Sequence, residues 1–266
     1  MAEPLKQALD NLGQAIQRRE SAKVYQLALW ADPQRGIPNE FARSALFAAV
    51  APNKTTYLER QTVFSQKDFK VTFTGKRLTQ SDLDVFEGVA HIARGTHEGN
   101  RICFRAGALL RLIGRATGKS QYQWLLTVLN RLTATCVGIE RNATEVYGGS
   151  LLPNFAANLE TGEFSVEINR QLIKLFDRGF TVIQWEQRRQ LQKKPLAQAL
   201  HLWILSHENR PYPVTVAYLR DLTGSQTKEL RRFRANLKVG LNELQRVGAI
   251  VSWVIDSTDK LSITVT

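Results

Sequence analysis

This chain has little of what small-molecule chemistry needs. Only two cysteines, Cys103 and Cys136, occur in 266 residues. No Cys-x2-Cys pair exists, so a structural zinc site lacks its thiolate frame. Both stand in apolar surroundings, the pattern of buried, reduced thiols in a cytoplasmic protein rather than a disulfide scaffold. The four histidines, His91, His97, His201 and His207, are scattered, and none forms the His-x-His pair near a tyrosine that a DNA-nicking nuclease requires. Gly-x-Ser-x-Gly is absent. Glu140 and Glu167 are lone carboxylates on strand-like stretches, where a solvent-facing position is the expectation. No catalytic constellation, metal or cofactor is therefore expected. No run of 18 apolar residues occurs, so no stretch is long enough to cross a bilayer as a helix. The opening Met-Ala-Glu-Pro-Leu-Lys-Gln lacks the basic and then apolar order of a secretory signal. Gln/Asn-rich and Ser/Gly-rich tracts are missing as well.

One phosphate-loop look-alike fails on spacing. Gly114-Arg115-Ala116-Thr117-Gly118-Lys119-Ser120 is one residue short of Gly-x4-Gly-Lys-Ser, and it follows a helical pattern, Arg105 to Ile113, instead of a buried strand.

What the chain does have is positive charge. Lys and Arg total 36 against 24 Asp and Glu, a net +12 with a pI near 10.0. Such an excess draws in polyanions, with nucleic acid the first candidate and an acidic membrane surface the second. A solvated basic surface accounts for the charge equally well, so charge alone does not choose.

A repeat sharpens the choice. Leu-x-x-Leu-x-Gly occurs as Leu109 to Gly114 and again as Leu219 to Gly224. Each copy leads into a helical stretch, about Lys119 to Thr133 and about Thr227 to Arg246, and then into β-branched runs. Helix, glycine turn, helix and hairpin is the order of a winged helix. Ahead of the first copy, Phe69 to Phe73 alternates as a strand should. Thr79 and Asp82 have capping-box spacing before a helix whose inward stripe is Leu83, Phe86, Val89, Ala90 and Ala93, with Gly95 at its stop. Arg101 to Phe104 reads as a strand. Thr135 to Glu140, Thr144 to Leu152 and Glu163 to Ile168 read as the strands of a generous first wing. Trp185 to Ser206 reads as a long helix that Pro195 must start, kink or split. Ala249 to Ile255 and Leu261 to Val265 form a C-terminal hairpin. The expectation is an α+β chain of two tandem winged-helix domains, 51–178 and 179–266. An N-terminal segment, 1–50, precedes them, with a helix over Pro4 to Trp30 and a linker over Asp32 to Asn39.

On a helical wheel of the second copy, Leu230, Phe233, Leu237, Leu241 and Leu244 share one side. Lys228, Arg231, Arg232, Lys238 and Arg246 face away, and Arg234 flanks the stripe; Arg231, Arg232, Arg234 and Lys238 are expected to carry the main DNA contact, with Lys228 beside them. The major groove admits such a helix, and Arg pairs bidentately with guanine. Gln226 and Thr227 stand at the helix start, suited to base edges or a phosphate. An ordinary solvated helix face is the alternative; the helix-turn and hairpin around it favour DNA. The first copy is less basic. Leu125, Leu129 and Leu132 point inward, while Lys119, Ser120, Gln123, Thr127 and Asn130 share the outer side. Lys119, Ser120, Gln123 and Arg131 are candidates for backbone contacts, which position without reading sequence; burial against a second subunit is the other reading. Tyr122 and Trp124 are taken as packing residues.

Several stretches resemble the TrfA family of plasmid replication initiators: Gly36 to Phe47, Thr74 to Asp82 and Leu109 to Gly114, in family order. The resemblance implies two winged-helix domains, as in other iteron-binding Rep proteins. It also implies binding to direct repeats in double-stranded origin DNA, opening of an adjacent A+T-rich segment, and recruitment of the host initiator and replicative helicase. In that class the C-terminal domain reads bases, while the N-terminal one touches backbone and carries the homodimer interface of an inactive form. Gln26-Leu27-Ala28-Leu29-Trp30 is similar to the Gln-Leu-x-Leu-Phe peptide that binds the DNA polymerase III sliding clamp. Leu29 and Trp30 would enter an apolar pocket and Gln26 would bond at its edge; the alternative is that Leu27 and Trp30 pack on the chain's own domain. A winged-helix transcriptional repressor is the competing functional reading, and an origin-nicking nuclease a third.

Overall fold

The computed structural model describes residues 27, 29–94, 101–141, 145–209 and 211–265. The helix expected over Pro4 to Trp30 lies outside the described residues as far as Gln26, and so does Gly95. In chain order the elements are β1 (Gln34–Pro38), α1 (Asn39–Ala42), β2 (Phe47–Ala48), β3 (Tyr57–Val63), β4 (Phe69–Lys76), β5 (Leu78–Thr79), α2 (Gln80–Ala93), β6 (Arg101–Arg105), α3 (Ala106–Leu112), α4 (Lys119–Ala134), β7 (Cys136–Arg141), β8 (Glu145–Gly149), β9 (Phe155–Asn158), β10 (Glu163–Glu167), α5 (Arg170–Phe176), β11 (Phe180–Gln184), α6 (Trp185–Gln190), α7 (Pro195–Leu205), β12 (Val214–Thr215), α8 (Val216–Leu222), α9 (Leu230–Arg246), β13 (Ser252–Ile255) and β14 (Lys260–Thr264).

Two copies of one topology emerge from this order. In the second, α7, β12, α8 and α9 lead into the hairpin β13–β14, with strand order β12-β14-β13. In the first, α2, β6, α3 and α4 lead eventually to β9–β10, with the matching order β6-β10-β9. Both are winged helices. The generous first wing expected from the sequence divides in two. β7 and β8 leave it and complete a four-stranded sheet, β3-β4-β7-β8, in which Phe73 faces Val137 and Val71 faces Ile139. The wing proper is β9–β10. Alternation marks a residue as strand but does not say which neighbour it pairs with.

The repeated glycine has the same task in both copies. Gly114 (φ 74°) and Gly224 (φ 61°) adopt left-handed backbone, which costs glycine nothing. Around each, the helix ends identically: the Gly114 and Gly224 N–H groups reach Arg111 O and Asp221 O at 3.0 Å, and the Arg115 and Ser225 N–H groups reach Leu110 O and Arg220 O at 2.8 and 3.0 Å. This is the Schellman pattern, which satisfies the orphan carbonyls of α3 and α8. At the other end of α2, the Thr79 N–H donates to Asp82 Oδ2 at 2.7 Å, closing the expected capping box.

Two expectations change, and the alternatives left open at Pro195 are decided. Asp32 to Asn39, expected as a linker, contains β1, antiparallel to β11, with Gly36 opposite Val182. Its Pro38 sits at a strand end, where a missing N–H is tolerated. The stretch from Trp185 to Ser206 is two helices: Lys193 takes φ 64°, and Pro195 opens α7 at its first position. Cys103 and Cys136, expected buried, are free and exposed. Each lies on the outward phase of its strand, beside inward Ile102 and Val137.

The hydrophobic interior forms two clusters. One gathers residues from Leu27 to Phe176 together with Ile183, Trp185 and Leu202; the other runs from Leu191 to Ile263. The chain therefore passes between the two interiors over residues 183–204, beyond the boundary expected near Gly179. Within that passage the Arg188 guanidinium is fully buried. Its Nε lies 2.8 Å from Asp84 Oδ1 and 3.2 Å from Glu87 Oε2, and its Nη2 donates to Gln80 Oε1 at 3.2 Å. Two acidic side chains of α2 thus share one cation from α6. Removing one member of such a buried group typically costs about 3–5 kcal/mol, because the remaining charge is stranded.

The Gln26–Trp30 segment packs against the first interior. Leu27 and Trp30 are 4% and 7% exposed. The Trp30 ring stacks on Phe176 at 5.9 Å and meets Phe180 at 6.2 Å, and its Nε1 donates to His91 Nδ1 at 3.0 Å. A Cβ on Gly36 would come within 2.6 Å of that ring. Leu29 is 70% exposed, while Gln26 and Ala28 lie outside the described residues.

Two predictions arise from this interior. Trp30→Ala empties an aromatic site and should lower unfolding stability by about 3–5 kcal/mol, read by denaturant titration; a change near zero would remove Trp30 from the core. Burial pushes the Glu87 carboxyl up to about 8 from its ordinary 4.5, with Arg188 pulling it back down and Asp84 pushing it up. The native state then holds a proton that the unfolded chain releases. Stability from this group is present below about pH 4.5 and is lost as pH rises toward about 8. Melting temperatures across that window should fall less with rising pH in Glu87→Gln than in the wild type, and parallel curves would refute the assignment.

Candidate nucleic-acid interface

The second winged helix supplies the more strongly charged surface. Along α9, Phe233, Leu237, Leu241 and Leu244 are each 0% exposed, so the expected apolar stripe is the buried one. Each such side chain contributes about 1.5–3 kcal/mol on burial, enough to fix the helix rotation about its axis. The opposite side carries Arg231, Arg232 and Lys238, all exposed, with Asn236 and Asn242 between them. Gln226, Thr227 and Lys228, expected at the helix start, belong instead to the segment before it: α9 begins at Leu230. Ser225 shapes that segment, its Oγ accepting from the Thr227 N–H at 3.3 Å, and the Arg220 Nη1 reaches Lys228 O at 3.5 Å.

Ion pairs divide the cations of this unit into two groups. Arg234 Nε and Nη2 donate to the two carboxylate oxygens of Asp259 at 2.7 and 2.8 Å. This bidentate pair raises the Arg234 pKa and lowers that of Asp259, in each case mainly through the shared hydrogen bonds. Asp259 sits at the hairpin tip with φ 62°, so Arg234 straps the wing to α9. Arg246 and Lys194 both engage Glu243, at 2.7 and 2.6 Å, and Arg220 engages Asp221 at 3.0 Å. Lys228, Arg231, Arg232 and Lys238 have no carboxylate partner among the described residues. The free face is therefore narrower than the helical wheel suggested, and Arg234 and Arg246 are turned to internal use.

In the first winged helix, Lys119, Ser120, Gln123, Thr127 and Asn130 are exposed on one side of α4, and Leu125, Leu129 and Leu132 are 0% exposed on the other. Arg131, expected to meet a DNA backbone, is instead half of a buried pair, its Nη1 3.0 Å from Asp82 Oδ2 with the side chain 10% exposed. It joins α4 to the cap of α2. The Arg115 guanidinium lies 3.6 Å over the Trp124 ring, and Tyr122 packs beside Gly107, so both aromatics are packing groups. Gly118 to Ser120 are exposed at the α4 N-terminus.

The two units touch through a segment that the sequence marked only by resemblance. The Ala49 N–H donates to Thr223 O at 2.7 Å. Arg43 Nε donates to Ser206 Oγ at 3.2 Å, and its Nη2 to Ser206 O. Phe64 meets Tyr218 edge-on at 5.2 Å. Gly36 to Phe47 thus holds β1 and the joint between units: Glu40 is buried against Arg141 at 3.1 Å, and Ala45 lies against Gly224. Burial raises the Glu40 carboxyl pKa, with Arg141 acting against it. Exposed Lys54 stands on the Pro52–Lys54 turn that follows this joint. Among the described residues no group of three His, Cys, Asp or Glu side chains is placed to hold a metal, and no helix is long and apolar enough to cross a membrane.

Known proteins share this architecture. A plasmid replication initiator protein TrfA from Escherichia coli is 29% identical over 244 residues, 88% of this chain. The chain spans 63% of that relative's length. Among solved structures, domains 2 and 3 of RctB superpose with a TM-score of 0.59 at 13% identity, over 86% of this chain and 98% of that one. The Pi initiator protein in complex with iteron DNA gives 0.52 at 13% identity, over 76% and 99%. At such identities the likeness is one of fold, two winged helices in tandem. The model of the TrfA protein family matches residues 5–261, and the chain belongs to that family.

Proposed function

We propose that the chain is a plasmid replication initiator that binds repeated sites in duplex origin DNA. The observation that carries this reading is α9: an exposed face of unpaired Arg231, Arg232 and Lys238 above a fully buried Phe/Leu stripe, in a winged helix. A helix held so firmly can lie in the major groove, where arginines read guanine at about 1–3 kcal/mol per good pair. Gln226, Thr227 and Lys228 extend that face toward the turn. Lys119, Ser120 and Gln123 on α4 are assigned backbone contacts, which fix register without reading bases. Arg234 and Arg131 are positioning residues, one holding the wing and the other the cap of α2.

Family membership and the likeness to an initiator solved on iteron DNA support this reading over repression alone. Opening of an A+T-rich segment, an inactive homodimer, and recruitment of host initiator and helicase belong to the same proposal. Clamp docking through Gln26–Trp30 would have to draw Trp30 away from Phe176 and Phe180, so we assign Leu27 and Trp30 to packing. Only a released form of the segment would present them to a clamp.

The direct test is binding to tandem repeats from the replicon that encodes the chain. Arg231→Ala with Arg232→Ala should abolish the footprint while the circular dichroism spectrum stays unchanged; an intact footprint would place recognition elsewhere. With six to ten phosphates neutralised, wild-type affinity should fall by roughly 10³–10⁵ between about 50 and 200 mM salt, and a flat response would reject the proposal. Supercoiled plasmid incubated with the protein and Mg²⁺ should stay supercoiled; relaxed product would make it a nuclease.

A further inference from the structure

The segment after the interdomain joint runs beside α9. Ala49 is bonded to Thr223. A Cβ on Gly224 would meet Arg77 Nη2, Ala48 Cβ at 3.0 Å and Ala45 Cβ at 3.3 Å, so glycine eases the close approach of the segment. Two residues on, Pro52–Lys54 form one 3-10 turn. The Lys54 N–H donates to Ala51 O at 2.9 Å, and Thr55 Oγ1 donates to Pro52 O at 3.1 Å. Proline fixes φ at the first position of the turn, so its shape is set before any partner arrives.

Ala49 to Ala51, together with Lys54 from the turn, form one wall of an open groove of about 570 Å³, whose other wall includes Gln226, Lys228, Arg232 and Asn236. Three of the charged groups there are cations, Lys54, Lys228 and Arg232, and one is a carboxylate, Glu229. Pro52, Asn53 and Lys54 are all exposed, and Lys54 has no carboxylate partner among the described residues. On its other side the same loop borders a second groove through Val50, Ala51 and Pro52, facing Arg115 and Trp124 of the first helix-turn-helix. The loop therefore stands between the two recognition elements, and it starts from Ala49, which is bonded to the second.

We infer that the Pro52–Lys54 turn is a third DNA-contacting element, in which Lys54 neutralises a backbone phosphate flanking the base pairs that α9 faces. The inference rests on the reading of α9 as the major-groove helix. A compact ammonium on a short turn suits a phosphate better than a base edge. Because the turn begins three residues after the Ala49–Thr223 bond, its phosphate stands close in register with α9. It also supplies positive charge where α4, with Lys119 its one unpaired cation, supplies little.

The test is fluorescence anisotropy on duplex carrying the origin repeats, for the full chain and Lys54→Ala, Lys54→Glu and Lys54→Arg, across a salt series. Loss of one phosphate contact should make the slope of log K against log salt shallower by ~0.9, so between about 50 and 200 mM salt Lys54→Ala loses ~3.5-fold less affinity than the wild type. Lys54→Glu should bind more weakly than Lys54→Ala, Lys54→Arg should restore the slope, and melting temperatures should not move. An unchanged slope in Lys54→Ala overturns the inference, whether affinity is retained or lost, provided that the Arg231/Arg232 double variant loses binding in the same assay. If that double variant binds as the wild type does, the reading of α9 fails instead.

Discussion

The two winged helices meet where a side chain is missing. Gly224 ends α8 in a left-handed turn, and the space its absent Cβ leaves faces Arg77 Nη2, Ala48 and Ala45 of the other unit. Both demands fall on one residue, and alanine meets neither easily: the backbone is costly for any residue with a Cβ, and its methyl would displace the Arg77 guanidinium and press on the two alanines. Once the contact is made, the Ala49–Thr223 bond and the Arg43–Ser206 bonds follow along the same seam. Gly114 has the same conformation in the first unit, but its absent Cβ faces Gln192 and Arg189 of the chain between the units. Each turn glycine of the repeat therefore serves twice, as a helix stop within its unit and as a point of close approach beyond it.

Charge is distributed by a similar economy. A net +12 suggests a broadly sticky surface, yet much of the cationic inventory is spoken for. Arg188, Arg131 and Arg141 hold buried carboxylates of the first unit. Arg234, Arg246, Lys194 and Arg220 engage acids of the second. The pairs that are exposed contribute little to stability individually, generally below about 1 kcal/mol. Their consequence is geometric. They fix long side chains in place and leave α9 with a face defined by what is unpaired. Arg234 is the clearest case, because its bidentate geometry sets the angle of the hairpin against the helix.

Much of the fold was legible because its signals are local. Leucine spacing, the Thr79–Asp82 cap and the two glycines act within one or two turns of helix, and each was found where the sequence placed it. What escaped depends on partners far away in the chain. β1 reads as a linker because Pro33, Gly36 and Pro38 are breakers, and its pairing partner β11 lies about 145 residues downstream. Strands β7 and β8 alternate as wing strands do, and only their contact with β4 assigns them to another sheet. Cys103 and Cys136 were misplaced because apolar neighbours in sequence do not share a face in a strand. The candidate site divides the same way. Arg231, Arg232 and Lys238 followed from a wheel, whereas the capture of Arg234 by Asp259 and of Arg131 by Asp82 needed the tertiary structure.

The two units also differ in a way that bears on how they would share a duplex. Helix α9 carries five cations against one carboxylate, while α4 carries only Lys119 and Arg131, and Arg131 is buried. The first unit instead bears an inserted hairpin, β7–β8, and a four-stranded sheet on which it is built. On the proposed reading, Coulomb attraction is concentrated at the second unit, and the first is brought to the DNA through the packed joint more than by its own charge. Such an arrangement makes the relative placement of the units matter as much as either surface. A shift of the joint would leave α9 intact while moving α4 off the backbone it is meant to follow. The close packing at Gly224, Ala45 and Ala48 resists that shift, since a sub-ångström displacement there already meets van der Waals contact.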